Sequence, residues 1–203
     1  MTTSEREQGP SLAEEFARAR ELSLGGLFIA LGVIIPMAVH AVGGGRIGPV
    51  LLPMYLPVLV CAMLVSPAIA AGVGLLTPLL SSGLTGMPPV LPTLPVMVVE
   101  LVSMSVIASL LRRRLGLHPL AATVAALVSG RVVLGLTVAL AVNLLPSGLL
   151  ASIPEAMRHP LPYVLAATAT AVPGLILQLV AVPALVIAVE RRSLARAGDP
   201  GGR

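Results

Sequence analysis

Tryptophan and lysine are absent from this 203-residue chain, and cysteine occurs once. Two tyrosines and two phenylalanines are its only aromatics. A lone Cys61 excludes an intrachain disulfide framework and a cysteine-held metal site. Set in an apolar run, it reads as a small buried filler. Charged residues make up only 11% of the chain against 56% hydrophobic. Soluble domains run near a quarter charged, so a soluble domain is excluded. The missing lysine, beside much Ala, Gly and Pro, reflects codon composition rather than function.

Chemical signatures are missing too. The chain has no HExxH, no clustered aspartates and no Gly-x-Ser-x-Gly elbow. Without a Gly-Lys-Ser/Thr phosphate loop it hydrolyses no nucleotide itself. One intramembrane carboxylate and scattered histidines cannot supply the ligand count of a divalent metal. The chain therefore reads as a non-enzyme with no cofactor and no metal. Its net charge of +4 does not point to nucleic acid, because the arginines sit in short clusters beside apolar runs.

Long uncharged runs are abundant, and they predict an all-α membrane protein with six transmembrane helices. The spans read as Leu22–Val42, about Val50–Val65, Ala68–Leu84, Val96–Leu111, Leu120–Leu145 and Val164–Val189. Residues 1–21 form an N-terminal segment that is both acidic and basic, unlike a signal peptide. Within it "SLAEEFARAREL" predicts a short amphipathic surface helix, with Leu12, Phe16 and Ala19 on one face and Glu14 four residues before Arg18. The six-span domain covers 22–190, and 191–203 form a tail. "TGMPPVLPTLP" predicts a rigid, extended loop. Pro49, Pro53 and Pro57 are too many for one regular helix, so the second span is either kinked or unwound in its outer half, or an ordinary helix start. No internal repeat is evident.

Arginines fix the expected orientation. Arg6, Arg18 and Arg20 precede the first span, Arg112 to Arg114 join the fourth and fifth, and Arg191, Arg192 and Arg196 follow the sixth. The opposite side offers Arg46 and Arg158. The asymmetry predicts both termini in the cytoplasm.

The depth of each polar residue follows. Arg131 lies midway along the fifth span, where a charge costs about 2.5–3.5 kcal/mol on insertion scales. Glu100 lies in the outer fourth span and Gln178 in the middle of the sixth. His40 and Asn143 sit near the outer ends of the first and fifth, and Thr77, Ser81 and Ser82 in the outer third. The strong polar groups thus gather from the midplane outward, as in a pocket open to the exterior. Each has a plain alternative: His40 a wetted helix end, Asn143 a cap, Gln178 interhelical glue, and the hydroxyls bonds to their own backbone. Glu100 and Arg131 read as facing a cavity or each other.

Six spans of this length, with "LGVIIPMAVHAVGGGRIGPVLLPMYLPVLV", "LTPLLSSGLTGMPP", "VMVVELVSMSVIASLLRRRL" and "VPGLILQLVAVPALV", resemble the substrate-binding S components of energy-coupling factor (ECF) transporters. The likeness covers about Leu22 to Arg192. It implies a multi-pass protein of a bacterial cell membrane that binds a vitamin or related nutrient. Its implied partners are a membrane coupling subunit and two ATPase subunits. Two extracellular loops, here Gly43–Gly48 and Gly86–Pro95, would cover the pocket. Arg131, Glu100, Gln178, His40, Asn143 and Tyr55 are the expected substrate-binding residues. Docking would use small residues of the first span, Gly26 and Ala30, in a substituted form of the family's Ala-x-x-x-Ala. The family's flat ring vitamins need stacked aromatics, and only Tyr55 and Tyr163 lie outside the cytoplasmic side. A carboxylate-bearing, less aromatic nutrient such as pantothenate is favoured, with Arg131 as its anchor. The rival expectation is a membrane scaffold or assembly protein in which Glu100 and Arg131 form a structural pair.

Overall fold

The computed structural model describes residues 11–44, 47–144, 146 and 153–197, with side chains as far as Arg192. Arg46, the first ten residues, the last six and most of the segment 145–152 lie outside the described residues. All regular structure described is helical: α1 (Leu12–Gly43), α2 (Ile47–Leu51), α3 (Tyr55–Leu64), α4 (Pro67–Thr85), α5 (Thr93–Arg113), α6 (Pro119–Leu144), a 3-10 turn (Glu155–Arg158) and α7 (Pro160–Ala197). Six units are long and apolar enough to cross a membrane, with α2 and α3 together making the second. This is the helical, multi-pass architecture expected, with most span edges moved by a few residues but α1 starting at Leu12 and α7 running on to Ala197.

The expected surface helix is not separate. Ser11 and Glu14 form a reciprocal capping box that starts α1, and the helix then runs unbroken for 32 residues. No proline interrupts the passage from "FARAREL" into the apolar span, and the helix runs on through Gly25 and Gly26, so both become one rod. Pro36 is the only proline within it. Phe16 and Leu12 stay exposed on its first turns.

Helices α1, α4, α5, α6 and α7 pack each against the next in that order. The α3 helix sits among them, touching α1, α4, α5 and α7, and its residues Pro57 to Met63 are all buried. Two ends can then be told apart. At one, Glu21 of α1 accepts the Ser66 backbone N–H at the start of α4 (2.9 Å) and pairs with Arg113 at the end of α5. There too, Arg112 pairs with Glu190 of α7 at 2.6 Å. We call this the arginine end. At the other end lie the close of α1, the α4–α5 turn and the start of α7.

The second span is broken. Between α2 and α3, residues 52–54 leave the helix, and Leu52 adopts φ 47°. The prolines supply no N–H at positions 49, 53 and 57, so the backbone ladder there cannot close. Such irregular backbone needs protein partners at membrane depth. Gln178 of α7 provides one, its Nε2 donating to the Leu52 carbonyl at 3.3 Å. Gly174, one turn earlier on α7, lets the broken segment approach. A Cβ there would stand 2.5 Å from the Leu51 oxygen and 2.7 Å from that of Val50.

The α4–α5 connection is also tighter than the extended loop expected from its prolines. Ser81 and Ser82 of α4 donate to the carbonyls of Met87 and Pro88, at 2.8 and 2.7 Å. These bonds fold the chain back over α4, and α5 already begins at Thr93.

Gly174→Ala is expected to lower stability by about 1–3 kcal/mol, the usual range for overpacking, because a backbone carbonyl cannot swing aside. Thermal unfolding of the purified variant in detergent checks this. An unchanged midpoint would mean the break does not depend on the approach to α7.

Candidate functional site

A cavity of about 630 Å³ opens at the end opposite the arginine end. Its walls are mostly apolar, and its deepest polar groups are Glu100, Arg131 and Tyr55. Each is positioned by a different helix. Glu100 projects from the second turn of α5 and is only 3% exposed. Tyr55 is the first residue of α3, so the break in the second span sets where its ring stands. Arg131 lies halfway along α6, next to Gly130. A Cβ at Gly130 would meet Met104 of α5 at 2.5 Å and Glu100 Oε1 at 3.4 Å. The missing side chain thus lets α6 come close enough for Arg131 to reach Glu100.

The three groups share their polar atoms unequally. Tyr55 Oη donates to Glu100 Oε2 at 2.7 Å. Arg131 Nη2 stands 2.5 Å from Glu100 Oε1, with the guanidinium carbon 5.9 Å from the Tyr55 ring centroid. That contact is close but is not aligned as a hydrogen bond. Nε and Nη2 of Arg131 and Oε1 of Glu100 are buried without a hydrogen-bond partner. The pair is therefore charge-compensated, with Nη2 and Oε1 in contact with each other and Arg131 Nε left without a partner. Such a constellation, at the floor of an apolar cavity, is what a small-molecule site requires. It offers no nucleophile–base pairing, and no group of three metal-ligating side chains occurs among the described residues.

The other expected site residues divide. His40 lines the mouth, with Nδ1 donating to the Pro36 carbonyl at 2.7 Å and its Nε2 edge towards Gly48. Gln178 and Asn143 are not in the walls. Gln178 is fully buried behind them, its amide donating to the Leu52 carbonyl, which also accepts from the Tyr55 backbone N–H. Asn143 is exposed and donates to Ala139 of its own helix at 2.7 Å. Thr77 likewise bonds back to Val73. The two expected cover loops contribute Gly48 to one side of the mouth and Met87, Pro88 and Pro89 to the other.

Methionine was the signal overlooked in the sequence. Met37, Met54, Met87, Met97 and Met157 all line the cavity, and Tyr163 joins them. Unbranched thioethers shape themselves to a guest where rigid aromatics are few. Five of eight methionines on one surface could have been suspected from their placement at outer span ends.

Comparison with known proteins finds no matching family model, curated protein or solved structure, so the meaning of the site rests on its own geometry.

Removing either charge should strand the other. Arg131→Met or Glu100→Gln is expected to cost about 3–5 kcal/mol where the pair is integral to folding, and the double variant to recover most of it. Thermal unfolding of the three variants measures the coupling. Additive losses would show that the two side chains do not support each other.

Proposed function

We propose that the chain is the substrate-binding subunit of an ECF-type transporter, capturing a small nutrient from outside the cell for ATP-driven uptake. The observation that carries this reading is the apolar cavity at one end of the bundle with Arg131 and Glu100 at its floor. The cavity size lies within the range of small-molecule sites. Arg131 is the anchor for an anionic group of the nutrient, because guanidinium offers a planar fork and Arg131 lines the cavity. Tyr55 and His40 complete the polar contacts, and the methionines fit its apolar body.

In this reading the arginine end is cytoplasmic, both termini lie inside, and the cavity faces outward across a bacterial cell membrane. Energy comes from a coupling subunit and two ATPases. The first of these docks along α1, where Gly26 and Ala30 lie on an exposed face and a Cβ on Gly26 would meet nothing within 4 Å. Small residues four apart permit close helix approach there.

A second reading, a non-transport scaffold, is favoured by the ion pair itself, since Glu100 and Arg131 already compensate each other. The two readings differ in what Arg131 does to a bound molecule.

Native mass spectrometry of the tagged protein from its own membranes tests the proposal. The expected mass includes a small molecule, and the coupling and ATPase subunits co-purify. Arg131→Lys should weaken ligand retention without loss of folding. Arg131→Ala should weaken it by more than about 1.5 kcal/mol, the lower bound for a charged hydrogen bond. Gly26→Leu should lose the subunits and keep the ligand. A double Arg131→Met, Glu100→Gln variant that is stable and still binds normally would make the pair structural and sink the site assignment.

Orientation has its own check. Cysteine introduced as Pro89→Cys should react with an impermeant thiol reagent on whole cells, and Arg113→Cys should not. The reverse pattern would invert the bundle.

A further inference from the structure

We propose that the arginine end carries a specific site for the phosphodiester of an anionic phospholipid. A second cavity, of about 420 Å³, lies there, at the opposite end from the one described above. Arg20 of α1 and Arg112 and Arg113 of α5 line it together with Glu190 of α7.

The charges in this cavity are not used up by their neighbours. Arg113 pairs with Glu21, and Arg112 with Glu190. Arg112 also donates from Nη1 to the Leu117 carbonyl at 3.1 Å, yet its Nε is buried with no partner. Arg20 has no hydrogen bond or ion pair among the described residues. Three guanidinium groups thus face two carboxylates, and one positive charge remains. A phosphodiester carries one negative charge and accepts several hydrogen bonds, which matches the surplus and the unused donors.

The walls argue for a lipid rather than a free anion. Leu24 of α1 and Val189 of α7 line the cavity beside the arginines. Leu27 and Leu185, one helical turn further toward the apolar centre on those same faces, are exposed. The α1 and α7 helices make no substantial contact with each other, and Met63 and Leu64 of α3 line the cavity between them, so acyl chains would lie against this apolar surface. Basic pockets between transmembrane helices at headgroup level are suited to anionic lipids. This inference requires only that the bundle spans a bilayer, and not that it transports anything.

The test uses the purified, delipidated full-length protein with equal amounts of dioleoyl phosphatidylglycerol and phosphatidylcholine, read by native mass spectrometry. Phosphatidylglycerol adducts should predominate. Arg20→Gln should weaken phosphatidylglycerol binding about fivefold, the value of one arginine at an anionic surface. Arg112→Gln should weaken it at least as much. Because Arg112→Gln also strips Glu190 of a partner and threatens folding, the partnerless Arg20 decides the matter alone. Arg114, exposed and outside the cavity, is the matched control, and Arg114→Gln should leave binding unchanged. Equal retention of the two lipids would overturn the proposal. So would an Arg114→Gln loss as large as that of Arg20→Gln, which would indicate general surface attraction. Displacement of phosphatidylglycerol by inorganic phosphate at equal concentration would make this a phosphate site and overturn the lipid assignment.

Discussion

Two opposite charges buried 2.5 Å apart, on neighbouring helices, constrain the rest of this bundle. Neither Glu100 nor Arg131 could be held alone at that depth without a penalty of several kcal/mol. Their meeting requires α5 and α6 to approach closely, and Gly130 is the residue that allows it. Tyr55 then adds α3, since its hydroxyl satisfies the carboxylate oxygen that Arg131 does not reach. Three helices converge on one carboxylate. The apolar walls above it can therefore enclose a void without the bundle collapsing inward, because its floor is fixed by directional contacts.

A second constraint acts through the backbone. Lipid offers no hydrogen bonds, so a proline-broken span must find partners within the protein. Gln178 and Gly174 meet this need in different ways, one by donating to the Leu52 carbonyl beside the Tyr55 backbone N–H and the other by leaving room for the Val50 and Leu51 backbone. The break in turn sets Tyr55 at the head of α3 and puts Leu52 and Pro53 in the cavity wall. A defect in one helix thus becomes part of the site. The amide of Gln178 supports the wall from behind and does not line it.

Much of this architecture was legible in the sequence, for a physical reason. Long apolar runs between arginine clusters permit little besides membrane helices, so the six spans were readable, most edges to within a few residues. The three prolines of the second span left a break and an ordinary helix start both open, because each removes a donor without saying whether the helix ends there. Depth along a helix was also readable, which brought Glu100, Arg131, His40 and Tyr55 to one region. Direction around the helix was not. Gln178 and Asn143 stand at suitable depths yet turn elsewhere, one to a backbone carbonyl and one to its own helix. With apolar residues on every face, α6 shows almost no amphipathic pattern from which facing could be judged. The pairing of Ser81 and Ser82 with the following turn escaped notice for a similar reason, since hydroxyls in membrane helices usually bond backward.

The floor of the cavity also limits what a guest must be. Glu100 and Arg131 are already neutral together, so an anionic group that reached Arg131 would have to share the guanidinium with Glu100. A guest that met these groups would hydrogen-bond to them in place of their contact with each other, since Nη2 of Arg131 and Oε1 of Glu100 face each other and are buried. A site that hydrogen-bonds its guest in this way rejects an analogue lacking the matching groups far more strongly than an apolar pocket rejects a missing methylene. The methionine walls adapt to shape and discriminate weakly. If the cavity takes a guest, its polar floor would discriminate more strongly than its methionine walls.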